Sequence, residues 1–420
     1  MIRRLLLFVA LLLPVQDLVH AAGVEVTLHH NLDSDRAVAL ALLAERFNEH
    51  FTTGRIVVEK AIPGPAAGRA PNLVLLEDDD DRRLLGGRRF LPIEQFMAAN
   101  GARLDAARFY PALRDAVDDA AGRLQALPVA YFLPVLYYNK EAFRRAGIDA
   151  GTAPKTWWDV QASAGAAYDK GTACPYTSSW PVWVHLENVS TQHGEPFVAG
   201  AAGATRLNFN SLVHVKHVAL LSSWFKSRYF HLFGDANEAD ARFLAGHCAM
   251  LTSGSDAFLK LKRDARFDFG MAELPYYDDV YGVTPGNTVP GGGSLWVLAG
   301  GKTNENRLAA GFVAFLLRPE IQKAWVQATG FLPMTAAAGL AEVEGLDKPI
   351  AVLLARKFAE RRQLADVRHR NAGYQTARSI LDEELASVWE NRKPAKEALD
   401  TAVARGNAAL RIRTPLAPRP

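Results

Sequence analysis

Short apolar runs alternate with longer amphipathic stretches along most of this 420-residue chain, and that alternation limits its fold more than any other feature. The run at 24–28 has the length of a strand, whereas 35–48 places Val38, Leu42, Leu43 and Phe47 at helical spacing. Segments alternating in this way build an α/β protein. Further strands are expected at 55–59, 72–76 and 135–139, the last followed by a short helix ending near Gly147. Thr156 stands three residues before Asp159, the spacing of a capping box, so a helix opens there. The Gly-, Pro- and Ala-rich stretch at 61–71 reads as a loop. Near the C-terminus, helices are expected at 380–390 and 395–404, divided by Pro394.

The first 22 residues have a separate logic. Arg3 and Arg4 precede an apolar run at 5–13, and small residues close the segment at Ala21-Ala22, which is the layout of a cleavable secretory leader. The run is shorter than the roughly 20 residues that span a bilayer, and Pro14 breaks it. No cysteine lies at the junction where a lipid anchor would attach, so a free periplasmic protein is expected. The roughly 400 residues that follow exceed the size at which one hydrophobic core keeps growing, so two domains are expected.

Charge excludes one class of partner. The chain carries 48 basic and 45 acidic residues, and loss of Arg3, Arg4 and Asp17 with the leader leaves 46 against 44. Such a balance, without a basic run interleaved with aromatics, argues against nucleic acid. The two cysteines, Cys174 and Cys248, are open to two readings: one disulfide in an oxidising periplasm, or two buried thiols.

Several sharper motifs fail on spacing. Five consecutive carboxylates at 77–81 cannot all point at one ion, and they read as an acidic helix start followed by Arg82 and Arg83. Gly301-Lys302-Thr303 ends like a phosphate-binding loop, but Trp296 stands where that loop needs glycine. His29-His30 and the pair His214 and His217 lack the geometry of a metal site, so neither metal nor cofactor is expected. No Gly-x-Ser-x-Gly elbow of a hydrolase is present.

Four segments carry a resemblance. They are Leu127-Pro128-Val129 with Leu136-Tyr137-Tyr138-Asn139-Lys140 and Pro154-Lys155-Thr156-Trp157, then Phe243 to Met250, then Gly291-Gly292-Gly293-Ser294-Leu295-Trp296, then Thr329-Gly330-Phe331-Leu332-Pro333. In order and spacing, through Asp382-Glu383-Glu384-Leu385 to Arg405-Gly406-Asn407, the chain resembles extracellular solute-binding proteins of carbohydrate ABC importers, especially members that bind sn-glycerol 3-phosphate. The resemblance implies a two-lobed periplasmic binding fold with hinge strands and a ligand cleft between the lobes. Residues 23–126 with about 275–335 would form lobe 1, about 127–274 with 336–410 lobe 2, and 411–420 a disordered tail. It also implies a binding protein rather than an enzyme, with a phosphorylated polyol as ligand, a membrane permease as partner and a monomeric state. Ligand would act by shifting the population toward a closed form.

A phosphate can be held by an Arg fork, by hydroxyls and by backbone N–H groups in Gly-rich turns. The segment containing Ser253, Gly254 and Ser255, the glycines around Gly292, and Arg378 all offer such groups. Each also has a plain reading, as a connector turn or a solvated charge. The resemblance adds weight to Gly292 and Arg378, and it matches Glu77 to a ligand carboxylate and Trp180 to a stacking ring. Glu77 as the start of an acidic surface turn, and Trp180 as core filler, remain the alternatives. His30 follows the first strand, where relatives place polar residues near the cleft.

The resemblance also breaks in places. The segment 61–65 is too short to hold the family's loop tyrosine, and Phe132 stands where a ligand serine is expected. Gly254 replaces another ligand serine between Ser253 and Ser255, and Phe331 replaces a ligand tyrosine. A hydrogen-bonding site discriminates strongly on a single partner, so a glycerophosphodiester or another polyol stands beside glycerol 3-phosphate as the expected solute. A secreted phosphodiester hydrolase is the competing class, and it would need a nucleophile or metal cluster.

Overall fold

The computed structural model describes residues 23–51, 53–61, 71–77, 89–119, 121–199, 206–279, 286–360 and 373–411. The expected leader at 1–22, most of the expected loop at 61–71, the acidic residues 78–81 and, apart from Arg411, the expected tail at 411–420 lie outside the described residues.

In chain order the strands are β1 (Val24–His30), β2 (Gly54–Lys60), β3 (Leu73–Glu77), β4 (Phe90–Leu91), β5 (Leu127–Phe132), β6 (Pro134–Asn139), β7 (Cys174–Ser178), β8 (Val198–Ala199), β9 (Arg206–Leu207), β10 (Phe230–His231), β11 (Cys248–Gly254), β12 (Phe269–Glu273) and β13 (Gly291–Leu298). A six-stranded sheet has the order β2-β1-β3-β13-β4, with β5 also on β13, and a five-stranded sheet has the order β10-β7-β11-β6-β12. Strand β1 pairs in parallel with β2 and β3, while β13 runs antiparallel to β3, β4 and β5. The protein is thus a two-lobed α/β fold, and the chain passes from the first sheet to the second at Leu133, between β5 and β6. It returns between β12 and β13.

Local chemistry sets the helices. Asp33 caps the helix Ser34–His50, its carboxylate accepting from the Arg36 N–H at 3.0 Å. The helix buries Ala39, Leu40, Leu43, Ala44 and Phe47, but Val38 and Leu42 are exposed, which corrects the stripe read from spacing. Spacing alone marks two adjacent stripes, and only packing against the first sheet selects one. The capping box is present: the Thr156 N–H donates to Asp159 at 2.9 Å, and the Asp159 N–H donates back to Thr156 Oγ1 at 3.0 Å. Helices Thr303–Leu316 and Pro319–Thr329 pack on the first-sheet side. Helices Tyr374–Trp389 and Ala395–Arg411 pack on each other and on Leu212–Lys226.

The cysteine question is settled by sheet register. Cys174 and Cys248 sit opposite each other on β7 and β11 and form a disulfide. Three histidines, His185, His214 and His217, serve the interior of the same lobe. His185 and His217 share a 3.0 Å hydrogen bond, the Tyr277 hydroxyl lies 2.8 Å from His217, and His214 bonds Ser190 and Ser211. Among the described residues, no cluster of three or more His, Cys, Asp or Glu side chains has the geometry to hold a metal. No described helix is long and apolar enough to cross a membrane.

Candidate functional site

The three strands β3, β13 and β5 lie side by side, and their register places Glu77 opposite Gly293, Gly292 opposite Tyr131, and Gly291 opposite Phe132. The end of β3, the start of β13 and the end of β5 therefore meet at one edge of the first sheet, beside the crossing to the second. Gly292 is required there: its φ is +134°, and a Cβ would lie 2.0 Å from the Ala130 carbonyl oxygen.

A narrow cavity of about 30 Å³ opens at this edge, lined by Arg36, Glu77, Phe132, Trp180, Trp183, Gly291, Gly292 and Arg378. Four candidates from the sequence, Glu77, Trp180, Gly292 and Arg378, thus share one wall with Phe132. Trp180 has φ +53°, rare for a side chain of its size, and is held by its N–H bond to Ala236 and its carbonyl bond from Val184. A left-handed bulky residue costs about 1–3 kcal/mol and persists where its surroundings impose it, most often at a binding site. Trp183 is anchored by a 3.1 Å bond from Nε1 to the Val289 carbonyl and meets Phe132 edge-on at 5.3 Å. Three aromatic faces thereby wall a space that also holds a carboxylate and two guanidinium groups.

Arg378 enters from the second turn of Tyr374–Trp389, with Nε 3.9 Å from the Glu187 carboxylate. Arg36 was not singled out in the sequence. It pairs with Asp256, which follows β11, and lies 4.5 Å over the Phe331 ring. Burial lowers the Arg36 pKa, but Asp256, Asp33 and Glu77 outweigh it and raise the net value, so the guanidinium stays charged. Asp256 is raised by its own burial, with Arg36 opposing. The only sequence hint of Arg36 was a charge in the first turn of a helix, a feature most surface helices share.

The remaining candidates lie off the cavity wall. Ser255 accepts from the Leu133 N–H at 3.1 Å and donates its own N–H to the Leu133 carbonyl, so it fastens the crossing. Ser253 is buried beside Asp240, whose carboxyl burial pushes up to about 6. Gly254 accepts the Tyr137 hydroxyl through its carbonyl. Phe331 lies beneath the wall, stacked 6.1 Å from Phe132. His30 is buried at the end of β1 beside Lys60, and burial, with Lys60, lowers its pKa. The cavity can therefore grip an anion, accept hydroxyl protons and cover carbon with aromatic faces.

Comparison with known proteins identifies the family. Residues 54–349 match the family model described as bacterial extracellular solute-binding protein. The sn-glycerol-3-phosphate-binding periplasmic protein UgpB of Pectobacterium atrosepticum is 32% identical over 409 residues, 93% of this chain and 92% of that one. Its counterpart in Salmonella typhimurium is 33% identical over 401 residues, 91% of each chain. Among solved structures, UgpB from Mycobacterium tuberculosis in complex with glycerophosphocholine has a TM-score of 0.73 at 20% identity, covering 92% of this chain and 98% of that one. A cyclic α-maltosyl-1,6-maltose binding protein from Arthrobacter globiformis has a TM-score of 0.72 at 19% identity, covering 93% and 99%. The chain belongs to the bacterial extracellular solute-binding proteins, the class that binds a small solute for a carbohydrate-type ABC importer, with sn-glycerol-3-phosphate-binding periplasmic proteins among its relatives.

Proposed function

We propose that this protein captures sn-glycerol 3-phosphate or a glycerophosphodiester in the periplasm and hands it, without turnover, to the permease of its importer. The observation that carries this reading is the convergence of Glu77, Trp180, Gly292 and Arg378 on one cavity. Arg378 offers a fork to the phosphate, Glu77 accepts from polyol hydroxyls, and Trp180 covers the carbon skeleton. The names of the relatives point the same way. Phe132 and Trp183 add carbon-facing wall, which favours a solute with more carbon than glycerol 3-phosphate itself.

The same reading makes residues 1–22 a leader removed on export, and the mature protein a monomer. Leu133 and the return segment before β13 act as the hinge, and because β5 pairs with β13 of the first sheet the moving lobe runs through 23–132, not only to 126, together with about 291–335. Among the described residues, no side chain lining the cavity is a serine, cysteine, threonine or histidine.

Calorimetric titration with sn-glycerol 3-phosphate, glycerophosphocholine and maltose, run beside an assay for released glycerol and choline, tests the proposal. Stoichiometric binding of one or both phosphorylated solutes with no product over hours is expected. Binding of maltose alone would move the solute to the sugars, and product release would replace capture with hydrolysis.

A further inference from the structure

Arg36 and Asp256 are carried by different lobes. Arg36 lies on Ser34–His50, which packs against β2 of the first sheet, and Asp256 lies just past β11 of the second. They nevertheless form an ion pair, with side chains only 16% and 10% exposed. Arg36 is prepared for this by its own lobe. Asp33 stands 3.2 Å from its guanidinium, and the Phe331 ring lies under it. Phe331 follows the helix Pro319–Thr329, and its neighbour Gly330 touches the Asp256 backbone closely: a Cβ on Gly330 would lie 2.1 Å from the Asp256 carbonyl oxygen. The two lobes are thus in backbone contact at this point.

A second cross-lobe pair lies farther out. Lys260, on Phe258–Asp264, stands 3.8 Å from Asp35. The polarity is reversed between the two pairs. The first lobe presents a negative then a positive charge at 35 and 36, and the second presents a negative then a positive charge at 256 and 260. Only one docking of the lobes matches both pairs, because exchanging them sets Asp35 against Asp256 and Arg36 against Lys260. Complementary patterns of this kind select a register as well as an association.

We infer that Arg36–Asp256, with Asp35–Lys260 outside it, is a latch that biases the ligand-free protein toward the closed arrangement of its lobes. The guanidinium is held by Asp33 and Phe331, so little side-chain freedom is lost when Asp256 meets it. The latch acts on the lobes and not through the solute, so it goes beyond the proposed function and does not depend on which solute is correct. It also tunes affinity. A device that favours closure in both free and bound protein strengthens binding whenever the solute itself favours closure, up to the factor by which the solute does so.

The test is small-angle scattering of ligand-free protein, unfolded and refolded to strip any solute. A compact chain of this size has a radius of gyration of about 21 Å. Asp256→Asn and Arg36→Gln are expected to give a larger radius than wild type. Lys260→Asp is expected to give a smaller increase, which Asp35→Lys in the same chain reverses. Because Asp35 and Lys260 are exposed, this reversal remains readable even where the inner variants fail to fold. Equal radii for wild type and every folded variant would overturn the latch. So would a radius for Lys260→Asp that Asp35→Lys does not restore. Neither result bears on which solute is carried, since none is added.

Discussion

The guanidinium Nε of Arg378 stands 3.9 Å from the carboxylate of Glu187, which has no solvent exposure and also accepts the Tyr374 hydroxyl at 2.7 Å. The arginine proposed to hold phosphate is therefore also the counter-charge of a buried acid. Removing one partner of a buried pair costs about 3–5 kcal/mol, because it leaves the other charge uncompensated. Arg378→Ala is expected to lose binding of phosphorylated solutes and also to lower the unfolding free energy by about 3 kcal/mol. Arg378→Lys should keep most of the stability and lose the bidentate grip. Urea unfolding and titration calorimetry on both variants check this, and undiminished phosphate binding by Arg378→Ala would remove Arg378 from the site.

Gly292 is held at φ +134° against the Ala130 carbonyl. A side chain there must push β13 away from β5 in addition to adopting a strained backbone, which alone costs about 1–3 kcal/mol. Gly292→Ala is expected to destabilise by about 2 kcal/mol or more and to weaken solute binding at least tenfold, since the strands carrying Glu77 and Phe132 pair with the same segment. Thermal unfolding and calorimetry report the two effects separately.

The disulfide joins neighbouring strands across a sequence separation of 74 residues. Closing a loop of that length restricts the unfolded chain by about 4 kcal/mol in the entropy model, with measured values for native bridges of about 2–5 kcal/mol. Cys174→Ser with Cys248→Ser should fold under mild conditions, bind solute with unchanged affinity, and unfold at lower urea. A midpoint unaffected by the double substitution or by reductant would show that the bridge contributes nothing.

Burial pushes His185 and His214 down to about 3, and His217 falls well below its usual value for the same reason, with His185 adding to it. Each is neutral in the folded protein and takes up a proton on unfolding below about pH 6.5. Their contribution to stability is full above that pH and is lost as pH falls toward 3, at up to about 1.4 kcal/mol per pH unit for each histidine. Asp118 and Asp240, pushed up to about 6 by burial, act in the opposite direction between about pH 4 and 6. The wild-type curve should therefore flatten in that window. His214→Gln should lower the slope of stability against pH by up to one proton throughout pH 3–6.5. Urea unfolding at half-unit steps measures the slope, and parallel curves for the two proteins would place His214 outside this balance.

Much of the local structure was legible because it depends on neighbours in sequence. The strand at 24–28 extends to Val24–His30, that at 72–76 shifts by one residue to Leu73–Glu77, and the capping box of Thr156 and Asp159 appears as its spacing required. At the site, Glu77, Trp180, Gly292 and Arg378 were marked by their resemblance to known segments, and they line one cavity. Ser253 and Ser255 show the limit of that route: a hydroxyl in a motif shows that a hydrogen bond is available, and the fold turns these two toward Asp240 and Leu133.

The sequence by itself determined the α/β alternation, the helix start at Thr156, and the set of residue types from which a polar cleft can be built, because those follow from periodicity and capping over a few residues. Only the tertiary structure decided that Val38 faces out, that Cys174 meets Cys248, and that Arg36 meets Asp256 across 220 positions. Contacts of that range leave no periodic trace in either segment. They exist because two sheets, joined at Leu133 and before β13, bring the ends of β3, β5, β11 and β13 to one place.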